Sequence, residues 1–151
     1  MALNPDFVGR SYAPEGSYVV GREKVREFAT AIGDENPASH DVDAARALGY
    51  ADLVAPPTFA VILSLKASGV VVRDPELGLD YSRVVHGEQG FEFTRPIVAG
   101  DELVVTTTIE NIRTMAGNDM ITTRGDITTV DGEPVVTTRA LLVSRGPEGD
   151  S

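Results

Sequence analysis

Pro56-Pro57-Thr58-Phe59-Ala60-Val61-Ile62-Leu63-Ser64-Leu65-Lys66-Ala67-Ser68-Gly69 is the stretch on which the fold turns. Proline is tolerated where a helix starts and glycine where it stops, so the spacing predicts a helix from about Thr58 to Ser68, with Gly69 ending it. Between Ala55 and Val72 the sole charge is Lys66. Such a helix has no polar stripe to turn toward water and is expected to be buried nearly all round. About 12 helical residues reach roughly 18 Å, too short for a ~30 Å hydrocarbon core, so this is a core helix and not a membrane span.

On its N-terminal side, Val25, Phe28, Ala29 and Ile32 recur at helical spacing, which predicts a helix over Arg22–Ile32 with one buried stripe, ended by Gly33 in a left-handed conformation. The titratable loop Asp34-Glu35-Asn36-Pro37-Ala38-Ser39-His40-Asp41 then hangs from a helix end. A brief helix is expected over Asp43–Leu48, capped by Asp41 or Asp43 and closed by Gly49. Farther upstream, Ser17–Val20 reads as a short strand and Met1–Tyr12 as an arm.

Beyond Gly69 come Val70-Val71-Val72 and a surface loop, Arg73–Asp80, marked by Pro, Gly and charges. The rest reads as strands: Val84–Pro96, Asp101–Ile112, Met120–Val130 and Val135–Arg145. The Asp131-Gly132 pair between β-branched runs is the strongest hairpin signal, and Gly146–Ser151 is expected to be a loose polar tail. Hairpin-linked strands behind one buried helix predict an α+β fold, an antiparallel sheet wrapped around a long central helix. One sheet with one helix leaves an edge open, so a dimer or other paired assembly is expected.

The chain has 151 residues, the size of one ordinary domain, and a single domain over 1–151 is expected. It carries 23 acids against 13 Lys and Arg, a net charge of -10, which disfavours nucleic acid and anionic membrane as partners. There is no cysteine, hence no disulfide, thiol nucleophile or Cys-based zinc site, and with no signal-peptide pattern a cytoplasmic location is expected. Two histidines, His40 and His86, give no ligand set for a metal, and no cofactor is expected. A phosphate-bearing partner needs a local basic patch; Arg22, Lys24 and Arg26 are the nearest cluster, though they equally suit the solvated face of a helix.

Four pieces in order carry a resemblance: Gly33-Asp34-Glu35-Asn36-Pro37-Ala38-Ser39-His40-Asp41; Ala44-Ala45-Arg46-Ala47-Leu48-Gly49-Tyr50; Val54-Ala55-Pro56-Pro57-Thr58-Phe59; and Phe93-Thr94-Arg95-Pro96-Ile97-Val98-Ala99-Gly100-Asp101-Glu102-Leu103. Together they resemble the hotdog-fold MaoC-like hydratases and dehydratases, which act on (3R)-hydroxyacyl thioesters of CoA or acyl carrier protein. The Ala-Pro-x-Thr-Phe helix start is most similar to the mycobacterial large-subunit type of (3R)-hydroxyacyl-ACP dehydratase and related actinobacterial single-hotdog proteins. Members of that dehydratase type work beside a second hotdog chain that carries the catalytic Asp and His.

Moving water across the α,β bond of an acyl thioester needs an acid-base pair over one water and a donor for the enolate oxygen. The resemblance implies Asp34 and His40 as the catalytic candidates, and Asn36, Thr58, Phe59 and Ile62 as contacts to the substrate. Two departures stand out. Laid down without gaps, the family pattern puts Ser39 at the histidine position and His40 one place later. Pro56-Pro57 replaces a His-Gly pair whose backbone N–H serves the oxyanion, and proline has no N–H to give. Thr58 or Phe59 then becomes the substitute donor.

The resemblance therefore implies a substrate-binding, non-catalytic subunit of a dehydratase or enoyl hydratase in fatty-acid elongation, paired with a catalytic MaoC-like chain. Its alternatives are a self-sufficient homodimeric hydratase using Asp34 and His40, a non-enzymatic acyl-thioester binding module, and a hotdog thioesterase. Each candidate also has a plain structural role: Asp34 in a turn, His40 solvated in its loop, His86 within a strand, and Phe59 and Ile62 in the core.

Overall fold

The computed structural model of the chain describes residues 3–146. Its helices are α1 (Arg22–Ala31), α2 (Val42–Ala47) and α3 (Ala60–Val72), and its strands are β1 (Ser11–Tyr12), β2 (Tyr18–Val19), β3 (Val84–Phe93), β4 (Glu102–Met115), β5 (Asn118–Thr129) and β6 (Pro134–Ser144). One antiparallel sheet runs β1-β4-β5-β6-β3, and β2 pairs farther along the same edge of β4 that holds β1. α3 lies across β4, β5 and β6, so the expected arrangement of a sheet around one long helix is present. Apart from Gly146, the polar tail expected at the C-terminus lies outside the described residues, as do Met1 and Ala2 of the arm.

α3 differs from its expectation in two ways. Pro57–Phe59 form a 3-10 turn, and the α-helix proper begins at Ala60 and runs on through Gly69 to Val72. Gly69 does not stop it because the fully buried Val71, with Val72 beside it, packs into the core beyond and outweighs one glycine. Nor is the helix buried all round: Leu65 is 48% exposed, whereas Leu63 is buried. The sheet covers one side of α3 in a single chain, and its far side, where Leu65 and Lys66 are exposed, is left open.

The core forms at both ends of α3. Near its start, fully buried Phe59 takes the Phe28 ring edge-on at 5.4 Å and the Tyr18 ring at 6.5 Å, and packs with Leu63, Leu103, Ile127 and Val136. Near its end, Val71, Leu77, Ile109, Ile121 and Leu142 are joined by Leu3 and Phe7 from the arm. Burying a side chain such as Phe or Leu contributes about 2 kcal/mol, so these clusters fix the helix to the sheet. Between them, a Cβ at Gly125 of β5 would crowd Thr138 Oγ1 of the neighbouring β6 at 2.6 Å and touch Ser64 Cβ of α3 at an ordinary 3.8 Å.

α1 ends as expected, with Gly33 at φ +73°, but of its apolar stripe only Val25 and Ala29 are deeply buried while Ile32 is half exposed. Ile32 is already the C-cap, where the chain turns away from the core. α2 is capped by the Asp41 carboxylate, which accepts from the Asp43 and Ala44 N–H groups. The arm contributes a strand that its mixed polarity concealed, β1, held by Ser11 and Tyr12 opposite Thr108 and Thr107.

Candidate functional site

The sequence pieces that carried the resemblance meet in space at the start of α3. The segment before the helix is tied to the β3–β4 connection, with Ala55 N–H donating to the Ile97 carbonyl and Ala99 N–H to the Leu53 carbonyl. Asp101 anchors that connection: it accepts from Arg95 through both oxygens, at 2.9 and 3.1 Å, and from the Val98 N–H. These hydrogen bonds to Asp101 and a second set to Glu133 hold the Arg95 guanidinium charged far beyond its usual range. Arg95 and Asp101 therefore build the site's frame.

The 33–41 loop docks on the other side of the same segment. Val54 N–H donates to the Ala38 carbonyl, and the buried Ser39 hydroxyl donates to the Val54 carbonyl at 2.6 Å. Ser39, at the family's histidine position, is thus turned inward to hold the loop. His40, one residue on, directs its ring back across its own loop, with Nε2 2.6 Å from the Asp34 carbonyl oxygen. The Asp34 carboxylate accepts from the Asn36 N–H, and the Asn36 side chain in turn accepts from the Ala38 N–H. Both catalytic candidates lie in one loop, each engaged with backbone.

The substrate-contact candidates separate. Ile62 lines a slot of about 90 Å³ between α3, β4 and the residues joining β1 to β2, together with Tyr12, Tyr18, Leu63, Lys66 and Val105. Phe59 is wholly buried in the aromatic cluster, and Thr58 is exposed at the 3-10 turn. Asn36 is exposed and serves as a cap. Neither Asp34 nor His40 lines the slot or a second, smaller cavity on the opposite flank of α3, where Ser64, Ser68, Thr107, Thr123 and Gln89 form a polar seam. His86 is exposed on β3, its Nε2 3.0 Å from the Glu88 carbonyl oxygen.

The slot is the feature that the sequence did not disclose. Tyr12 forms part of its wall, with its hydroxyl donating to Asp74 at 3.0 Å. Burial, and then that hydrogen bond, push the Tyr12 phenol up to about 12. The basic residues expected as a patch are all committed: Arg22 to Asp52, Lys24 to Glu27, and Arg26 to Glu23 and the His40 carbonyl. Hydrogen bonding from Arg22 in turn holds Asp52 below the usual carboxylate range. No helix among the described residues is long and apolar enough to cross a membrane.

Residues 6–138 match the family described as "FAS1-like, dehydratase domain region". A UPF0336 protein of Streptomyces avermitilis is 59% identical over 148 residues, covering 98% of this chain and 99% of that protein. Among solved structures, the C-terminally truncated HadBC (3R-hydroxyacyl-ACP dehydratase) complex from Mycobacterium tuberculosis superimposes with a TM-score of 0.84 at 35% identity, over 93% of this chain and 99% of the matched one. A MaoC-like dehydratase superimposes with a TM-score of 0.86 at 37% identity over 94% of this chain, which spans 43% of that protein.

Proposed function

The chain belongs to the MaoC-like hotdog dehydratase family, and from that premise we propose that it is the substrate-binding, non-catalytic subunit of a (3R)-hydroxyacyl-thioester dehydratase or enoyl hydratase of fatty-acid elongation. A second hotdog chain supplies the working Asp and His. The observation that carries this reading is the state of the 33–41 loop: the His40 Nε2 is occupied by the Asp34 carbonyl and the Asp34 carboxylate by the Asn36 N–H. A general acid and base must both reach one water beside the substrate, and these two groups are turned to their own backbone. The prolines at 56 and 57 support it further, since neither offers an N–H to a developing enolate oxygen.

Pairing is supported by the surface. β3 is an edge strand, and Val85 and Phe93 on it and Leu65 on α3 stay exposed at 39%, 37% and 48%. An open edge beside apolar side chains is what a second sheet covers. The solved relative with high similarity, HadBC, is itself a complex. In this reading residues 1–151 form one hotdog domain, and Ile62 contributes to binding the acyl chain of a CoA or carrier-protein thioester.

The test is hydration of crotonyl-CoA by the purified chain alone and mixed with a MaoC-like chain that has an intact Asp and His. The expected result is weak or no turnover alone and turnover in the mixture. Strong turnover alone, abolished by Asp34→Asn and His40→Ala, would overturn the partner requirement in favour of a self-sufficient homodimer. Ligand-induced stabilisation with no turnover in any pairing would instead make it a binding module.

A further inference from the structure

β3 is a free edge of the sheet, and its two faces differ. Gln89 reaches the polar seam beside α3 and Phe91 packs on the core, so by strand alternation Glu88, Gly90 and Glu92 share the face turned away from the helix. The ladder to β6 is regular from Glu88 to Phe93 and breaks at Gly87, where the register shifts between His86 and Glu88. The regular part of the edge, the part another strand can follow, therefore shows a carboxylate, a gap and a carboxylate on its outer face.

The chain neutralises these carboxylates only in part. β6 sets Arg139 opposite Gly90, and its guanidinium reaches Glu92 at 3.6 Å while also holding Glu110 at 3.2 Å; the Glu92 side chain stays 80% exposed. Glu88 is exposed and has no Lys or Arg within 4 Å among the described residues. Self-pairing of a strand edge is two-fold and antiparallel, and it keeps outward residues facing outward residues, so the register moves in steps of two. Along the regular edge the choices set Glu88 of one copy opposite Glu88, Gly90 or Glu92 of the other, or Glu92 opposite Gly90 or Glu92. In each, a glutamate stands opposite another or, across Gly90, diagonal to two of them at about 7–8 Å, and like charges so placed destabilise a ladder.

We propose that Glu88 and Glu92 set the choice of partner: they keep two copies of this chain from pairing through β3 and select a different chain whose edge strand carries an arginine or lysine facing Gly90. This rests on the reading that a second hotdog chain covers the β3 edge, and it names the chemistry that chain must present. A basic side chain facing Gly90 lies between the two carboxylates, both within reach of its charge-assisted hydrogen bonds. The seat is open, since beyond its chain neighbours a Cβ at Gly90 would meet nothing nearer than the Arg139 carbonyl oxygen at 4.0 Å. Val85 and Phe93, exposed on the same strand, supply apolar contact on either side of it.

The test uses the full chain and its charge-reversed copy Glu88→Lys/Glu92→Lys, changed at two exposed positions, with the fold checked by circular dichroism. Sedimentation velocity is run on each chain alone and on their equimolar mixture. The mixture is expected to pair about tenfold or more tightly than either chain with itself, because each repulsion across the edge becomes an attraction. The preference is expected to shrink at about 0.5 M salt. A control copy, Glu27→Lys/Glu35→Lys, makes the same change of net charge on α1 and the loop after it, and is expected to give no such preference. Self-association of the parent chain as tight as the mixture, an equal gain with the control copy, or no association in any mixture overturns the proposal. Turnover is not read, so the dehydratase reading stands or falls separately on the crotonyl-CoA assay.

Discussion

The Nε2 of His40 and the main-chain carbonyl oxygen of Asp34 lie 2.6 Å apart, closing a ring within the loop that follows α1. The contact turns two residues that look like an acid-base pair in sequence into a clasp. Ser39 reinforces it by fixing the loop to Val54 from the buried side.

If the loop is structural, its side chains matter more for stability than for turnover. In the reconstituted pair, Asp34→Ala and His40→Ala are each expected to change turnover less than about threefold, because general acid-base groups are worth about 10²–10⁴ when they act. Asp34→Ala should cost about 1 kcal/mol in urea denaturation through loss of its turn hydrogen bond. A hundredfold loss of turnover in either variant would restore a catalytic role.

Gly125 leaves room for Thr138 on the neighbouring strand β6. Gly125→Ala places a methyl group 2.6 Å from Thr138 Oγ1, and overpacking of this kind costs about 1–3 kcal/mol. Adding Thr138→Ala removes the opposing oxygen, so the double variant is expected to be more stable than the sum of the two single losses predicts. Strict additivity by equilibrium denaturation would show that the two positions do not meet.

Tyr12 gives an alkaline signature. Its phenol is raised to about 12 in the folded chain, above the usual 10, so the protonated form is favoured by folding. That contribution is complete below pH 10 and is lost as pH rises from about 10 toward about 12. Near pH 8, Tyr12→Phe is expected to cost about 1 kcal/mol, the worth of the hydrogen bond to Asp74. The gap between variant and parent should close as denaturation is repeated at pH 10 and above, and a gap constant to pH 11.5 would contradict this origin.

Local signals in the chain determined most of the architecture. Proline before and apolar residues throughout 58–72 specified the central helix, Gly33 specified the end of α1, and Asp131-Gly132 specified a hairpin, because each rests on backbone preferences or periodicity that act within a few residues. The order of pieces around Asp34 and Asp101 likewise sufficed for the family. What tertiary structure decided was where side chains point and what remains uncovered. Whether Gly69 ends a helix depended on valines packing onto Ile109 and Leu142, and the open side of α3 depended on how far one sheet can wrap. The direction of the His40 ring and the slot between α3 and β4 depend on distances between residues that spacing along the chain does not encode.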